Sequence, residues 1–213
     1  KCNMVEEAKA AYLKLQALGE TIDVSTHNVM ISAYGKNGLI DKAIETFESM
    51  ATFNVKPDAA SYNSLIAMYG KEGFYRKAEE MLMAMVSAGV EPDIVSYNTL
   101  LLAYAKHGHM EDAARIFTEM VRAGFKPDMI TYNILVHNYA ANGMFAEALN
   151  MIDYMKKNKV WPTEATYRVL LDSYIKKQRF HDASVLLRRV KRTEPFHKSL
   201  YGRFFRLTTR LNK

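Results

Sequence analysis

The chain has 213 residues, of which 49% are hydrophobic and 24% charged, with a single cysteine, Cys2. That composition supplies a buried core and excludes a disordered polyelectrolyte, an internal disulfide and a cysteine-rich zinc site. No run approaches the roughly 18 apolar residues of a membrane span, so no membrane partner is expected, and a net charge of +6 does not by itself argue for nucleic acid.

The first 23 residues read as the end of a repeat whose start lies upstream, mostly its second helix; the chain does not begin with Met and reads as a fragment or a processed chain. The repeat is set by the prolines: Pro57, Pro92, Pro127 and Pro162 stand 35 residues apart, and a fixed period of that length is the signature of a repeat array. Ending each unit just after its proline gives repeats at 24–58, 59–93, 94–128, 129–163 and 164–198, followed by 199–213. Positions within a unit run from 1 to 35.

The unit 24–58 has one apolar stretch of helical period around Ile31 and Tyr34, a break at Gly38, and a second stretch around Ala43 and Met50. Glycine at position 15 stops the first helix, and proline at position 34 prevents continuation of the second. The pattern recurs through Gly73, Gly108 and Gly143, with Gln178 in the last unit, and with Tyr at position 11 and Ala at position 20 throughout. Each unit is therefore predicted to be a helical hairpin that cannot bury its apolar face alone. The predicted fold class is all-α, a right-handed α-solenoid of stacked helix-turn-helix repeats. The unit 164–198 departs most and reads as degenerate, and 199–213 reads as a capping helix with Phe204 and Phe205 as apolar contacts.

At 100° per residue, positions 4, 7, 8 and 11 of the first helix share the core side, and positions 2, 5, 9 and 13 lie opposite. Position 5 holds Asn28, Asn63, Asn98 and Asn133, then Arg168. Asn is a mediocre mid-helix residue, so its recurrence on a polar face asks for a reason beyond helix formation. Position 35 holds Asp23, Asp58, Asp93 and Asp128, then Thr163 and Lys198. Asp before a helix is an ordinary N-cap, but its recurrent pairing with Asn at position 5 points further.

Segments such as Asp93-Ile94-Val95-Ser96-Tyr97-Asn98-Thr99-Leu100-Leu101 and Ala123-Gly124-Phe125-Lys126-Pro127-Asp128 resemble the pure 35-residue pentatricopeptide repeat. The resemblance runs from Lys1 to about Lys198. It implies binding of single-stranded RNA, one base per repeat, with the protein N-terminus at the RNA 5′ end. It also implies base-reading pairs Asn28 with Asp58, Asn63 with Asp93, Asn98 with Asp128, and Asn133 with Thr163. Asn-Asp corresponds to uracil, whose N3–H can donate to a carboxylate. Thr163 lacks the charge, which gives an expected tract 5′-U-U-U-(C/U)-3′. Position 2 would sandwich the bases with Ser25, Ala60, Val95, Ile130 and Ala165, of which only Val95 and Ile130 are bulky.

Lys36, Lys71, Lys106 and Lys176 at position 13 either contact phosphates or complement helix C-termini. Arg168 and Lys198, which match no base code, join them as expected phosphate contacts. The charge is uneven: residues 1–155 carry 13 basic and 19 acidic residues (−6), and residues 156–213 carry 16 and 4 (+12). A basic end beside a reading face would attract an RNA backbone.

His107-Gly108-His109 lacks metal-ligand spacing, and no nucleophile motif, carboxylate cluster or phosphate-binding loop occurs. No catalytic residue, metal or cofactor is expected. Trp161 reads as a packing residue in a link between repeats. The resemblance implies an organellar protein, the chloroplast preferred to the mitochondrion, with any transit peptide upstream, acting in RNA stability, splicing or translation. Its expected partners are pyrimidine-rich single-stranded RNA and other organellar RNA-processing, ribosomal or transcription proteins. The competing expectation is a protein-interaction scaffold in an organellar ribosome or transcription complex, because helical-repeat grooves also hold peptides.

Overall fold

The computed structural model describes residues 22–193 together with Ala10, Tyr12 and Lys14. Lys198 and the expected capping segment 199–213 lie outside the described residues, as does most of the partial repeat before Asp23. The chain forms two compact units, Lys1–Lys126 and Pro127–Lys213. The first contains α1 (Val24–Lys36), α2 (Ile40–Thr52), α3 (Ala59–Lys71), α4 (Tyr75–Ser87), α5 (Ile94–Lys106) and α6 (Met110–Arg122). The second contains α7 (Met129–Ala141), α8 (Phe145–Lys157), α9 (Glu164–Lys176) and α10 (Phe180–Thr193). Among the described residues there is no strand, and no helix is long and apolar enough to cross a membrane.

The same local chemistry starts and stops each hairpin. The odd-numbered helices begin at a side-chain N-cap, Asp23, Asp58, Asp93, Asp128 or Thr163, each accepting from the backbone N–H three residues on. These helices end on a left-handed residue that closes a Schellman motif. Gly38 at φ 74° donates to the Gly35 carbonyl, and the next residue, Leu39, donates to the Tyr34 carbonyl. In the last repeat Gln178 takes the same conformation at φ 59°, and Arg179 donates to Tyr174.

The second helix stops differently from the sequence expectation. α2, α4, α6 and α8 are ended by left-handed residues, Asn54, Gly89, Gly124 and Lys159, three positions before each proline. The following residue closes the motif on a methionine carbonyl, as Val55 does on Met50 and Val90 on Met85. The prolines therefore sit in extended linkers and limit the backbone there, rather than terminating the helix.

In each unit a first helix packs on its own second helix and on the next first helix. Tyr34, Tyr69, Tyr104, Tyr139 and Tyr174 are buried. Ala43, Ala78, Ala113, Ala148 and Ala183 have no exposed surface, because the small side chain lets the two helices of a hairpin approach closely. Met50, Met85, Met120 and Met155 fill the space beneath the second helix and are also fully buried. Trp161 departs from expectation: it is 66% exposed and does not pack into the link between repeats. Its neighbour Pro162 is buried, and side chains on an extended linker alternate in direction.

A polar network joins two repeats of the first unit. The Tyr104 hydroxyl donates to Glu79 Oε2, and the Arg115 guanidinium grips the same carboxylate with both nitrogens, at 2.9 and 3.1 Å. Burial pushes the Glu79 carboxyl up, but the hydrogen bonds from Arg115 and Tyr104 outweigh it and hold the pKa below its ordinary value. A depressed folded-state pKa stabilises the fold above the ordinary carboxyl value of 4.5, and that contribution disappears as the pH falls through the lower, folded value. Thermal unfolding across acid pH is therefore expected to show a steeper loss of stability in the natural chain than in Glu79→Gln. Parallel curves would show that the network does not couple to folding.

Candidate functional site

The position-35 residues do two things at once. Asp58 Oδ1 accepts from the Ser61 N–H at 2.9 Å, which caps α3, and from Asn28 Nδ2 at 3.0 Å, which reaches across from α1. Asp93 repeats this arrangement, accepting from the Ser96 N–H at 2.8 Å and from Asn63 Nδ2 at 3.3 Å. The side-chain bonds to these two carboxylates, and the cap bonds from the Ser61 and Ser96 N–H groups, all fall on Oδ1, so Oδ2 of each carries no side-chain partner and can accept from a ligand. Burial pushes both carboxyls up, but hydrogen bonds from the backbone, from Ser61 or Ser96, and from the Asn amide hold them below 3.8. Both are ionised acceptors at neutral pH.

A carboxylate can only accept, so the Asn28 amide must turn its NH2 toward Asp58 and its oxygen away. That oxygen accepts from the Ser61 hydroxyl at 2.6 Å. One Nδ2–H points at Asp58 and the other remains free to donate. The site formed by Asn28 and Asp58 thus presents one N–H donor beside one carboxylate acceptor.

A groove of about 770 Å³ in the first unit is lined by Asp58, Asn63 and Asp93, by Ala60 and Val95, and by Lys36 and Lys71. It therefore gathers residues from three of the expected roles. Ala60 is exposed, and Val95 is 52% exposed although it is a large apolar side chain. Ser25 is exposed as well. The lysines differ from one another. Lys71 Nζ donates to the Lys36 carbonyl at 2.9 Å, satisfying the C-terminus of the preceding first helix, and lies 3.6 Å from Glu72. Lys36 and Lys106 are exposed.

Asn98 lies in the first unit and is only 8% exposed, more buried than the half-buried Asn28 and Asn63. Asp128 lies in the second unit and caps α7 through the Thr131 N–H at 2.8 Å. In that unit Ile130 is 62% exposed, Asn133 is half-buried, and Thr163, Ala165, Arg168 and Lys176 are exposed. Thr163 caps α9, and the Thr166 hydroxyl donates to Asn133 Oδ1 at 2.8 Å.

Sequence reasoning missed position 3. Thr26, Ser61, Ser96, Thr131 and Thr166 put a hydroxyl there in every described repeat. In α3, α5, α7 and α9 this residue completes a capping box with the position-35 residue. The signal was present as an invariant hydroxyl three residues after the cap, on neither the core side nor the polar face.

Models of the PPR repeat family match residues 22–66, 57–101, 92–141 and 127–176. Over 90% of the chain, the structure is similar to the crystal structure of the pentatricopeptide repeat protein PPR10 from maize, with 37% identity and a TM-score of 0.74. It is similar to PPR10 in complex with an 18-nt psaJ RNA element, with 36% identity and a TM-score of 0.78, again over 90% of the chain. The chain spans 27% and 28% of those two structures. The PPR domain of Arabidopsis thaliana protein-only RNase P 1, in complex with tRNA, shares the fold at 16% identity, with a TM-score of 0.64 over 79% of this chain and 89% of that one. Comparison with curated proteins gave no match. The α-solenoid class expected from the 35-residue period is the class of the matched structures.

Proposed function

The chain belongs to the pentatricopeptide repeat family, and from that premise we propose that it binds single-stranded RNA, one base per repeat, and reads 5′-U-U-U-(C/U)-3′. The observation that carries this reading is the polarity of the edge at Asn28 with Asp58, repeated at Asn63 with Asp93. Each pairs an amide donor with an open carboxylate oxygen. Uracil offers the complement, an acceptor carbonyl beside the N3–H donor. Cytosine offers an acceptor at N3, which faces the carboxylate unfavourably. Guanine has the same donor and acceptor order as uracil, so size must separate them.

The pair Asn98 with Asp128 is assigned by repeat position alone. At Asn133 a neutral Thr163 replaces the carboxylate, which relaxes the choice to either pyrimidine. Exposed Val95 and Ile130 are the aliphatic faces on which bases would stack. The small Ser25, Ala60 and Ala165 give less contact. Lys36, Lys106, Lys176 and Arg168 would meet phosphates, and Lys71 divides its ammonium between helix carbonyls and the backbone of the ligand. The role is passive binding in organellar transcript stability, splicing or translation, with no catalytic step.

The test is fluorescence anisotropy of labelled oligoribonucleotides carrying UUUC, CCCC or AAAA between fixed flanks, at several salt concentrations. Base stacking at about 1–3 kcal/mol per base, offset by ordering, predicts modest affinity that weakens with salt. The UUUC oligomer is expected to bind tightest. Equal affinity for all three tracts at every salt concentration would overturn base reading.

A further inference from the structure

We propose that the position-3 hydroxyl, seen in Ser61 and Thr166, is a third determinant of base choice: it holds the amide of the preceding repeat's asparagine in one plane, and so fixes the direction in which the remaining N–H faces the base. The inference rests on the base-reading function above and deepens it. Three bonds form a closed ring between α1 and the start of α3. The Asp58 N–H donates to Ser61 Oγ at 3.2 Å, Ser61 Oγ donates to Asn28 Oδ1 at 2.6 Å, and Asn28 Nδ2 donates to Asp58 Oδ1 at 3.0 Å.

The ring has a fixed direction. A backbone N–H can only donate, so Ser61 Oγ accepts there and its single proton points elsewhere. Asn28 Oδ1 is nearer than the alternative acceptor, Asp58 Oδ1 at 3.0 Å. The Asn28–Asp58 bond is exposed, and one exposed contact leaves the amide free to swing about its terminal torsion. Held at both ends, the amide has one plane and one direction for its remaining N–H.

In the second unit the neutral Thr163 takes the position-35 place, and among the described residues no carboxylate bonds to Asn133. There the Thr166 hydroxyl on Oδ1 is the one described contact that orients the amide. The repeat 94–128 supplies the contrast. Ser96 caps α5 in the same way, but its hydroxyl is 3.8 Å from Met85 Sδ and 2.9 Å from Asp93 Oδ1, and Asn63 Oδ1 has no hydrogen-bond partner. Ser61 and Ser96 are therefore equal as caps and unequal as positioning residues.

That inequality separates positioning from stability. The full 213-residue chain is titrated with labelled UUUC oligomers between adenine flanks, with U or C at the first or second place. Ser61→Ala is expected to lower the U-over-C ratio at the first base by roughly tenfold, the worth of about one hydrogen bond. Ser61→Thr is expected to keep it. Ser96→Ala is expected to lose as much thermal stability as Ser61→Ala and to keep the ratio at the second base. The proposal is overturned if Ser61→Ala keeps its ratio, or if both alanine variants lower theirs equally, since capping alone would then be the cause. If the natural chain shows no U-over-C preference at either base, base reading itself fails and this inference fails with it. Thr166→Val provides a second arm in the other unit. It is expected to remove whatever pyrimidine-over-purine preference the fourth base shows, and a retained preference there counts against the proposal.

Discussion

Asp58→Asn is expected to invert the choice at the first base from uracil to cytosine while leaving the fold intact. Two donors, the Ser61 N–H at 2.9 Å and Asn28 Nδ2 at 3.0 Å, converge on the present Oδ1. An asparagine at 58 must place its oxygen between them, which puts its NH2 where Oδ2 now stands. Asn caps helices as well as Asp does, so α3 should persist. The reading edge then changes from donor and acceptor to two donors. Cytosine O2 and N3 are adjacent acceptors and fit that edge, whereas the uracil N3–H would face an N–H.

A hydrogen bond to a charged partner is worth about 1.5–3 kcal/mol, so the U-to-C ratio should swing by at least roughly tenfold. Anisotropy with oligomers differing only at the first base measures it. Continued uracil preference would mean that Asp58 caps but does not read. The same preference in the natural chain should be flat from neutral to mildly acid pH, because the hydrogen bonds on Asp58 hold its carboxyl below 3.8.

Gly70→Ala is expected to destabilise the first unit, and Gly35→Ala is not. Both glycines sit in the last turn of a first helix, at position 12, where the next first helix passes close by. A Cβ on Gly70 would stand 2.5 Å from Ala103 Cβ, a group that cannot rotate away. The helices α3 and α5 would have to separate. Overpacking of this kind costs about 1–3 kcal/mol, more than the gain of up to about 1 kcal/mol from replacing a helical glycine. A Cβ on Gly35 would stand 3.2 Å from Met68 Cβ, a contact that an adjustment of a few tenths of an ångström relieves and that the gain from replacing a helical glycine offsets.

Thermal unfolding followed by circular dichroism should therefore show a lower midpoint for Gly70→Ala, by about 2–4 °C per kcal/mol. Gly35→Ala should be unchanged or slightly raised. Because Asn63 and Asp93 stand on helices that this contact holds together, Gly70→Ala should also weaken RNA binding. A stable Gly70→Ala variant would show that α3 and α5 can separate at no cost.

The all-α hairpin class was legible in the chain alone, because it depends on local and periodic signals. The 35-residue spacing, tyrosine at position 11, alanine at position 20 and glycine at position 15 act within one hairpin or between identical neighbours. A residue's helical face follows from its position in the period, so buried Tyr69 and Ala78 could be placed without coordinates. The proposed reading residues Asp58, Asn63 and Asp93 could likewise be listed from register, because the repeat brings corresponding positions side by side.

The tertiary structure decided what each polar atom does. Which oxygen of Asp58 is occupied, and that Ser61 rather than water holds Asn28, depends on groups from two repeats meeting within about 3 Å, the range over which hydrogen bonds form. No period encodes that distance. The burial of Asn98, the exposure of Trp161, the Lys71 contact to the preceding helix and the need for glycine at 70 but not at 35 have the same origin. Each depends on the particular groups that surround the residue in space, which its register position does not name. Periodicity fixes which positions meet, and side-chain packing fixes the atoms that touch.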